Sequence, residues 1–383
     1  MALAVNPSLL IADEPTTALD VTVQKKIIEL LKELQEIHNL TIIFISHDLK
    51  LIKEIADHIV VMREGMIIEK KSTNNLVSNP SQAYTKGLLA CQPPHGKRPE
   101  KLLTVDDFEK GKEQTQKERR IRHTSGEPLI RIQNLDLHYH IPGGIFSTGK
   151  RSFQALSKVS LNIFKGETLG LVGESGCGKT SLGKTILRLV NIQHGDITYR
   201  GMNIHDLKGK QLKHFRRNVQ IVFQDPWSSL NPRLNVRSVL NEVLKIHHPE
   251  FSKKEKNNKM IEILEKTGLN KSDLKKYPHE FSGGQRQRIG IARALIISPE
   301  IIILDESVSA LDVSVQAKIL NLLNSLKEDF DLSYLFISHD LNVVRYMSDR
   351  IIVMKDGKIE ESGYSDDLYN DPGSDYTRLL IES

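Results

Sequence analysis

The stretch Gly173-Glu174-Ser175-Gly176-Cys177-Gly178-Lys179-Thr180 decides the reading of this 383-residue chain. It follows an apolar segment, Thr168 to Val172, and precedes a helix-like run from Ser181 to Leu187. That is G-x-x-x-x-G-K-[ST] between a strand and a helix, the context the pattern requires. Its glycines let backbone N–H groups turn inward around phosphate oxygens, and the following helix directs its positive end at them. Lys179 adds a point charge for β- and γ-phosphates, and the Thr180 hydroxyl suits Mg²⁺. The pattern predicts nucleotide binding.

Length allows two or three domains, and 39% hydrophobic with 26% charged residues is the composition of a soluble globular protein. A net charge of +5 is small for this size and gives no reason to expect a nucleic-acid partner. Cys91 and Cys177 are far apart and match no metal or redox spacing, which fits a reducing compartment. No apolar run approaches the ~20 residues that cross a bilayer. Pro7 and Asp13-Glu14 interrupt the weakly hydrophobic start, so no signal peptide is expected and any membrane role is peripheral.

An internal repeat sets the domain organisation. Asp13-Glu14 recurs as Asp305-Glu306, an offset of 292 residues. The same offset carries Ala18-Leu19-Asp20 onto Ala310-Leu311-Asp312, Ile45-Ser46-His47-Asp48 onto Ile337-Ser338-His339-Asp340, and Gly65 onto Gly357. A period this wide predicts two tandem copies of one domain rather than a solenoid. The first copy, residues 1–92, holds strand Leu9 to Ala12, an acidic pair, a helix over about Val21 to Ile37, strand Thr41 to Ile45, and a hairpin at Glu64-Gly65. Nothing in residues 1–127 resembles the phosphate loop, and Met1 falls opposite Arg293, so the first copy reads as N-terminally shortened. Its sheet is expected to expose an edge. Residues 93–127, with Pro93-Pro94, Pro99 and a mainly basic run from Glu109 to Arg122, read as a solvated linker. The second copy occupies 128–383: strands Leu129 to Ile132 and Leu135 to His140, a loop at Pro142-Gly143-Gly144, and strands around Val159 to Phe164 and Glu167 to Val172.

Ile301-Ile302-Ile303-Leu304-Asp305-Glu306 is an apolar run ending in two carboxylates. Continuous apolarity suits a parallel strand buried on both faces, and ligands of such sheets bind at the strands' carboxyl ends. Asp305 suits Mg²⁺, and Glu306 suits orienting a water for in-line attack on a γ-phosphate.

Together, Gly173–Thr180, Ser282-Gly283-Gly284-Gln285, Asp305-Glu306, Ser309-Ala310-Leu311-Asp312 and His339 resemble the nucleotide-binding domain of an ABC transporter. They correspond in order to its Walker A, signature, Walker B, D-loop and H-loop, and Phe223-Gln224-Asp225 resembles its Q-loop. Ala12-Asp13-Glu14-Pro15-Thr16-Thr17-Ala18-Leu19-Asp20 and Tyr84-Thr85-Lys86-Gly87-Leu88-Leu89 resemble the ATPases of oligopeptide/dipeptide importers, including forms with two fused ATPase domains.

The resemblance implies an α/β P-loop NTPase with a parallel core sheet, an antiparallel β subdomain and a helical signature subdomain, preceded by a partial copy of the same fold. It implies ATP and Mg²⁺, with Gly173, Glu174, Ser175, Gly176, Cys177, Gly178, Lys179, Thr180 and Ser181 around the phosphates. Thr180, Gln224 and Asp305 would serve the metal, and Glu306, His339 and Lys179 the chemistry. Ser282, Gly283, Gly284 and Gln285 would act on ATP held by another cassette, so a second ABC ATPase domain is an implied partner. Tyr139 is the candidate for adenine stacking, with Phe153 as the alternative, and either could equally be a core aromatic. Phe281 stands where such signatures usually carry leucine, and Ser307 where proline is common. Cys91 is the only cysteine near the first C-terminal extension, so no iron–sulfur centre is expected.

The implied setting is the cytoplasmic face of the membrane, on inner-membrane permease subunits, with a substrate-binding protein reached only through the permease. The expected function is ATP hydrolysis that energises peptide import. The runner-up is a nucleotide-binding remnant with little turnover, and a soluble tandem-ABC protein of translation or DNA repair fits the 93–127 segment poorly.

Overall fold

Thr168-Leu169-Gly170-Leu171-Val172, Ile301 to Asp305 and Ser333 to Ile337 are strands in which every side chain is buried. Such runs need no polar alternation, because both faces of the sheet are covered. The computed structural model describes all residues except 1, 17–20, 92, 95–97, 113–116, 124–125, 142–150, 226–228, 310 and 383. The repeated Ala18-Leu19-Asp20, its counterpart Ala310 and the loop Pro142-Gly143-Gly144 therefore lie outside the described residues.

In chain order the strands are β1 (Leu9–Asp13), β2 (Thr41–Ile45), β3 (His58–Arg63), β4 (Met66–Ser72), β5 (Ile130–Ile141), β6 (Arg151–Ile163), β7 (Thr168–Val172), β8 (His194–Tyr199), β9 (Met202–Asn203), β10 (Val219–Val222), β11 (Ile301–Asp305), β12 (Ser333–Ile337), β13 (Arg350–Lys355) and β14 (Lys358–Tyr364). The chain forms two compact units, one of residues 1–119 with 310–321 and the other of 120–309 with 322–383.

In the second unit, a six-stranded sheet runs β10-β11-β12-β7-β13-β14. Its first five strands pair in parallel, and β14 folds back on β13 as an antiparallel hairpin. Parallel pairing puts the carboxyl ends of β7, β10, β11 and β12 along one edge, which places the phosphate loop, Gln224, Asp305-Glu306 and His339 there. A separate antiparallel sheet has the order β6-β5-β8-β9. Helices Val236–His247, Lys253–Lys266 and Gly283–Leu295 supply the helical subdomain. Sequence periodicity suggested two strands over 129–140, whereas the structure has one strand, β5, with register shifts between Ile132 and Leu135. Asn134 there takes a left-handed φ of 47°. The extra residues bulge out and the ladder resumes, so the apolar pattern breaks while the strand continues.

The first unit keeps the parallel pair β1–β2 and the hairpin β3–β4 as separate sheets. Its hairpin repeats β13–β14 down to the register shift, which falls at Val61/Met62 in one and Val353/Met354 in the other. Ile11 is 61% exposed, and Ile43 and Ile45 are 46% exposed, whereas their counterparts Ile303, Leu335 and Ile337 are fully buried. Among the described residues β2 pairs with β1, whereas its counterpart β12 pairs with both β11 and β7. Residues 93–127, read above as a solvated linker, carry more structure than their composition suggests. Leu102, Leu103 and Val105 are buried, and the helix Val105–Glu109 begins with a capping box between Thr104 and Asp107. Asn321 bonds both the N–H and the carbonyl of Leu102. Three apolar residues in a charged run are enough to anchor it when a side-chain amide satisfies the backbone between them.

At the amino end of β7 the sheet is pinned by a buried ion pair. Asp349 accepts from the Lys327 ammonium at 3.0 Å and from the N–H groups of Thr168 and Arg122 at 2.8 and 3.0 Å. Burial works to raise the Asp349 pKa, but Lys327 and the two amides outweigh it and hold the carboxyl below its ordinary range. A depressed carboxyl pKa contributes stability above about pH 4 and loses it as pH falls through the folded value. Lys327→Met strands a buried carboxylate and should cost about 3–5 kcal/mol at pH 7. The deficit should shrink as pH falls below about 4. Denaturant titrations of both proteins at pH 7 and pH 3 measure this.

Candidate nucleotide site

The phosphate loop leaves β7 at Gly173 and enters the helix Lys179–Ile186. Gly178, the residue before that helix, has φ 105°, a conformation that L side chains avoid. A Cβ there would lie 2.6 Å from the carbonyl oxygen of Ala155. Both facts require glycine. Lys179 is buried, and its ammonium donates to the carbonyls of Gly173 (2.6 Å) and Glu174 (2.8 Å). The loop thus holds its own lysine inside the cradle, against the backbone that would surround a phosphate.

Across the sheet edge, the Thr180 hydroxyl donates to Asp305 Oδ1 at 2.9 Å. Burial raises the Asp305 pKa, with Thr180 acting against it. A hydroxyl beside one carboxylate is a hard oxygen pair that fits Mg²⁺, which keeps waters and phosphate oxygens as its remaining ligands. Among the described residues no cluster of three or more His, Cys, Asp or Glu could hold a metal alone. A site completed by the nucleotide is therefore the arrangement these residues fit.

Glu306 follows Asp305 with φ 45° and its N–H bonded to the Ile337 carbonyl. The turn sets its carboxylate between two partners. Gln224 donates from Nε2 at 2.9 Å, and His339 Nδ1 lies 3.6 Å away. Burial favours the neutral forms of both Glu306 and His339. Their mutual pairing outweighs it, leaving the glutamate pKa lowered and the histidine pKa raised. Glu306 is then a carboxylate at neutral pH, an acceptor for a water proton.

Tyr139 and Phe153 are cross-strand partners on β5 and β6, and both are exposed, at 36% and 55%. The Tyr139 hydroxyl lies 3.3 Å from Ser181 Oγ, so this aromatic pair borders the helix behind the phosphate loop. Ser282 caps the helix Gly283–Leu295, accepting from the Gln285 N–H while the Gln285 side chain accepts from the Ser282 N–H. Its bonds are made within its own helix terminus, away from the Thr180–Asp305–Glu306 cluster. Phe281 is buried, with the Lys276 ammonium 5.5 Å from its ring centroid. A larger apolar group than leucine is thus housed without disturbing the cap.

One residue at the loop was absent from the sequence-based set. The Tyr376 hydroxyl accepts from the Glu174 N–H at 3.2 Å. Its signal was available: Tyr84-Thr85 and Tyr376-Thr377 share the 292-residue offset.

Comparison with known proteins agrees with this geometry. The ABC transporter family model matches residues 156–309, and the model for the C-terminal region of oligopeptide/dipeptide transporters matches 68–117. A dimeric ATP-binding cassette, MJ0796, in a post-hydrolysis state bound to ADP and Pi is 31% identical with a TM-score of 0.54, covering 62% of this chain and 98% of that one. The chain belongs to the ABC transporter ATPase family. The structure of cbiO1 from Clostridium perfringens, part of the ABC transporter complex cbiONQ, is 25% identical with a TM-score of 0.55, over 64% of this chain and 92% of that one. The glutathione import ATP-binding proteins GsiA of Pectobacterium atrosepticum and Escherichia coli (strain K12) are 43% and 42% identical over all of this chain. The chain spans 62% of the length of these curated relatives.

Gly178→Ala should impose about 1–3 kcal/mol of backbone strain on the loop. Calorimetric titration with ATP should therefore show a roughly five- to hundredfold loss of affinity, with the circular dichroism spectrum retained.

Proposed function

We propose that this chain is an ATP-hydrolysing subunit of an ABC importer for small peptides. The observation that carries the reading is the convergence of Lys179, Thr180, Asp305, Glu306, Gln224 and His339 at the carboxyl ends of adjacent parallel strands. Lys179 and the loop N–H groups bind the β- and γ-phosphates, and Thr180, Asp305 and Gln224 hold Mg²⁺. The metal supplies positive charge against the phosphate oxygens. Glu306 accepts a hydrogen bond from the attacking water and orients it in line with the γ-phosphorus. His339, kept beside Glu306, donates toward the γ-phosphate as that contact opens. Tyr139 stacks on adenine, with Phe153 beside it. Gly176 to Ser181 form the rest of the cradle.

Peptide import is supported by the transporter C-terminal region at 68–117 and by the likeness to the glutathione import ATPases. Among the described residues no helix is long and apolar enough to cross a membrane, so the proposed place is peripheral, against permease subunits at the cytoplasmic face. A second cassette completes the ATP site by bringing a signature cap such as Ser282–Gln285 to the phosphate loop. The tandem reading, with 1–92 as a partial cassette, 93–127 as connector and 128–383 as a complete one, draws support from the doubled hairpin and the pair His47–Glu14, 3.1 Å apart.

Glu306→Gln should bind ATP as the parent does and lose at least about a hundredfold in turnover, in the range of general-base loss. Unchanged phosphate release would remove Glu306 from this role. ATPase rate per chain should rise with protein concentration, since the site is completed by a second molecule. A rate that stays flat through a wide dilution series would refute that assembly.

A further inference from the structure

The peptide unit joining Gly173 to Glu174 is held at both ends. Its carbonyl accepts from the Lys179 ammonium at 2.6 Å, and its N–H donates to the Tyr376 hydroxyl at 3.2 Å. Lys179 must leave that carbonyl to reach a phosphate. Tyr376 then still holds the other end of that peptide through the Glu174 N–H.

Tyr376 is itself well fixed. It lies on the helix Asp375–Glu382, is buried at 8% exposure, and has the Lys355 ammonium 4.7 Å from its ring centroid. Glu361 anchors the turn before that helix by accepting from the N–H groups of Gly373 (2.8 Å) and Ser374 (3.1 Å). The β13–β14 turn supports the same loop from beside it, since the Gly357 N–H donates to the Cys177 carbonyl at 3.1 Å. Burial pushes the Tyr376 phenol up to about 12, so the hydroxyl keeps its proton around neutral pH.

The first unit supplies an internal control. Residue for residue at the same offset, Arg63 lies over the Tyr84 ring (4.9 Å), and Glu69 accepts from Ser81 (2.8 Å) and Gln82 (3.2 Å). The helix Ala83–Ala90 repeats Asp375–Glu382. The cation over the ring and the glutamate-anchored turn thus belong to the folded extension in either copy. The hydroxyl-to-loop bond belongs to the copy that carries a phosphate loop.

We propose that Tyr376 is a positioning residue for ATP binding: through the Glu174 N–H it orients the peptide that aims the phosphate loop and frees Lys179 for the nucleotide. The assignment makes the C-terminal extension part of the nucleotide site, and it rests on the reading of Gly173–Thr180 as the ATP cradle.

The test compares Tyr376→Phe with Tyr84→Phe in the full chain, by calorimetric titration with ATP and by steady-state ATPase kinetics. Phenylalanine keeps the ring beneath Lys355 and removes one hydrogen bond. Tyr376→Phe should weaken ATP binding about two- to tenfold and raise KM in parallel, with kcat and melting temperature little changed. Tyr84→Phe should leave ATP affinity as in the parent. Parental affinity in Tyr376→Phe, or an equal loss in Tyr84→Phe, would overturn the assignment. Lys179→Ala separates the two readings: if it binds ATP normally, the cradle itself is misassigned, whereas an inert Tyr376→Phe beside a defective Lys179→Ala removes only the tyrosine.

Discussion

Burial of β7 between β12 and β13 is the constraint on which the nucleotide site depends. The strand has no solvent face, so its ends are fixed by neighbours rather than by its own sequence. At its amino end, Asp349 and Lys327 tie Thr168 in place from two different elements. At its carboxyl end the chain turns into the loop under the β13–β14 hairpin. Each functional group then sits where its strand stops. Asp305 reaches Thr180 because β11 ends, and the helix after β7 begins, at the same edge. His339 reaches Glu306 because β11 and β12 pair in register, with Asp305 opposite Ile337.

Much of this was legible in the residues, and for a physical reason. Phosphate loops, acidic strand ends and helix caps are local devices whose chemistry is written in a few adjacent positions. The apolar segment at 168–172 announced a strand, and the continuous apolar run at 301–304 one covered on both faces. The 292-residue offset announced the second copy of the hairpin, and the structure adds that both copies bulge at the same place. What stayed hidden was carried by single residues joining distant segments. Asn321 anchors Leu102 across 219 positions, so a charged stretch that looks solvated is packed. Tyr376 reaches Glu174 across 202 positions. Neither contact has a local pattern, and only the internal repeat pointed at the tyrosine.

The two units share the acidic turn but not the phosphate loop. Glu14 and Glu306 both sit in the left-handed region, at φ 46° and 45°, a conformation that strains a residue with a side chain. Both are held by the same bond from their N–H to the end of the next strand, Ile45 or Ile337. Both meet the following histidine, His47 or His339. In the first unit the strands beside this turn are β1 and β2, which leave Ile11, Ile43 and Ile45 in solvent. The same acidic turn thus accompanies the same parallel strand pair in both units.

The phosphate cradle is not local in that sense. Its glycines permit the loop but do not shape it. Gly173 and Gly178 are required because the backbones of Met354 and Ala155 occupy the space a side chain would fill. Gly357 and Tyr376 hold two of its peptide units from the C-terminal segment. The acidic turn thus forms beside a two-stranded sheet, whereas the phosphate loop lies at the sheet centre with the C-terminal hairpin and helix bonded to it. The C-terminal extension is present in both units with a glutamate at the same offset anchoring its turn and a cation over its tyrosine, Arg63 in one and Lys355 in the other. Its structure is set by its own contacts, and in the second unit the Tyr376 hydroxyl adds a bond to the loop.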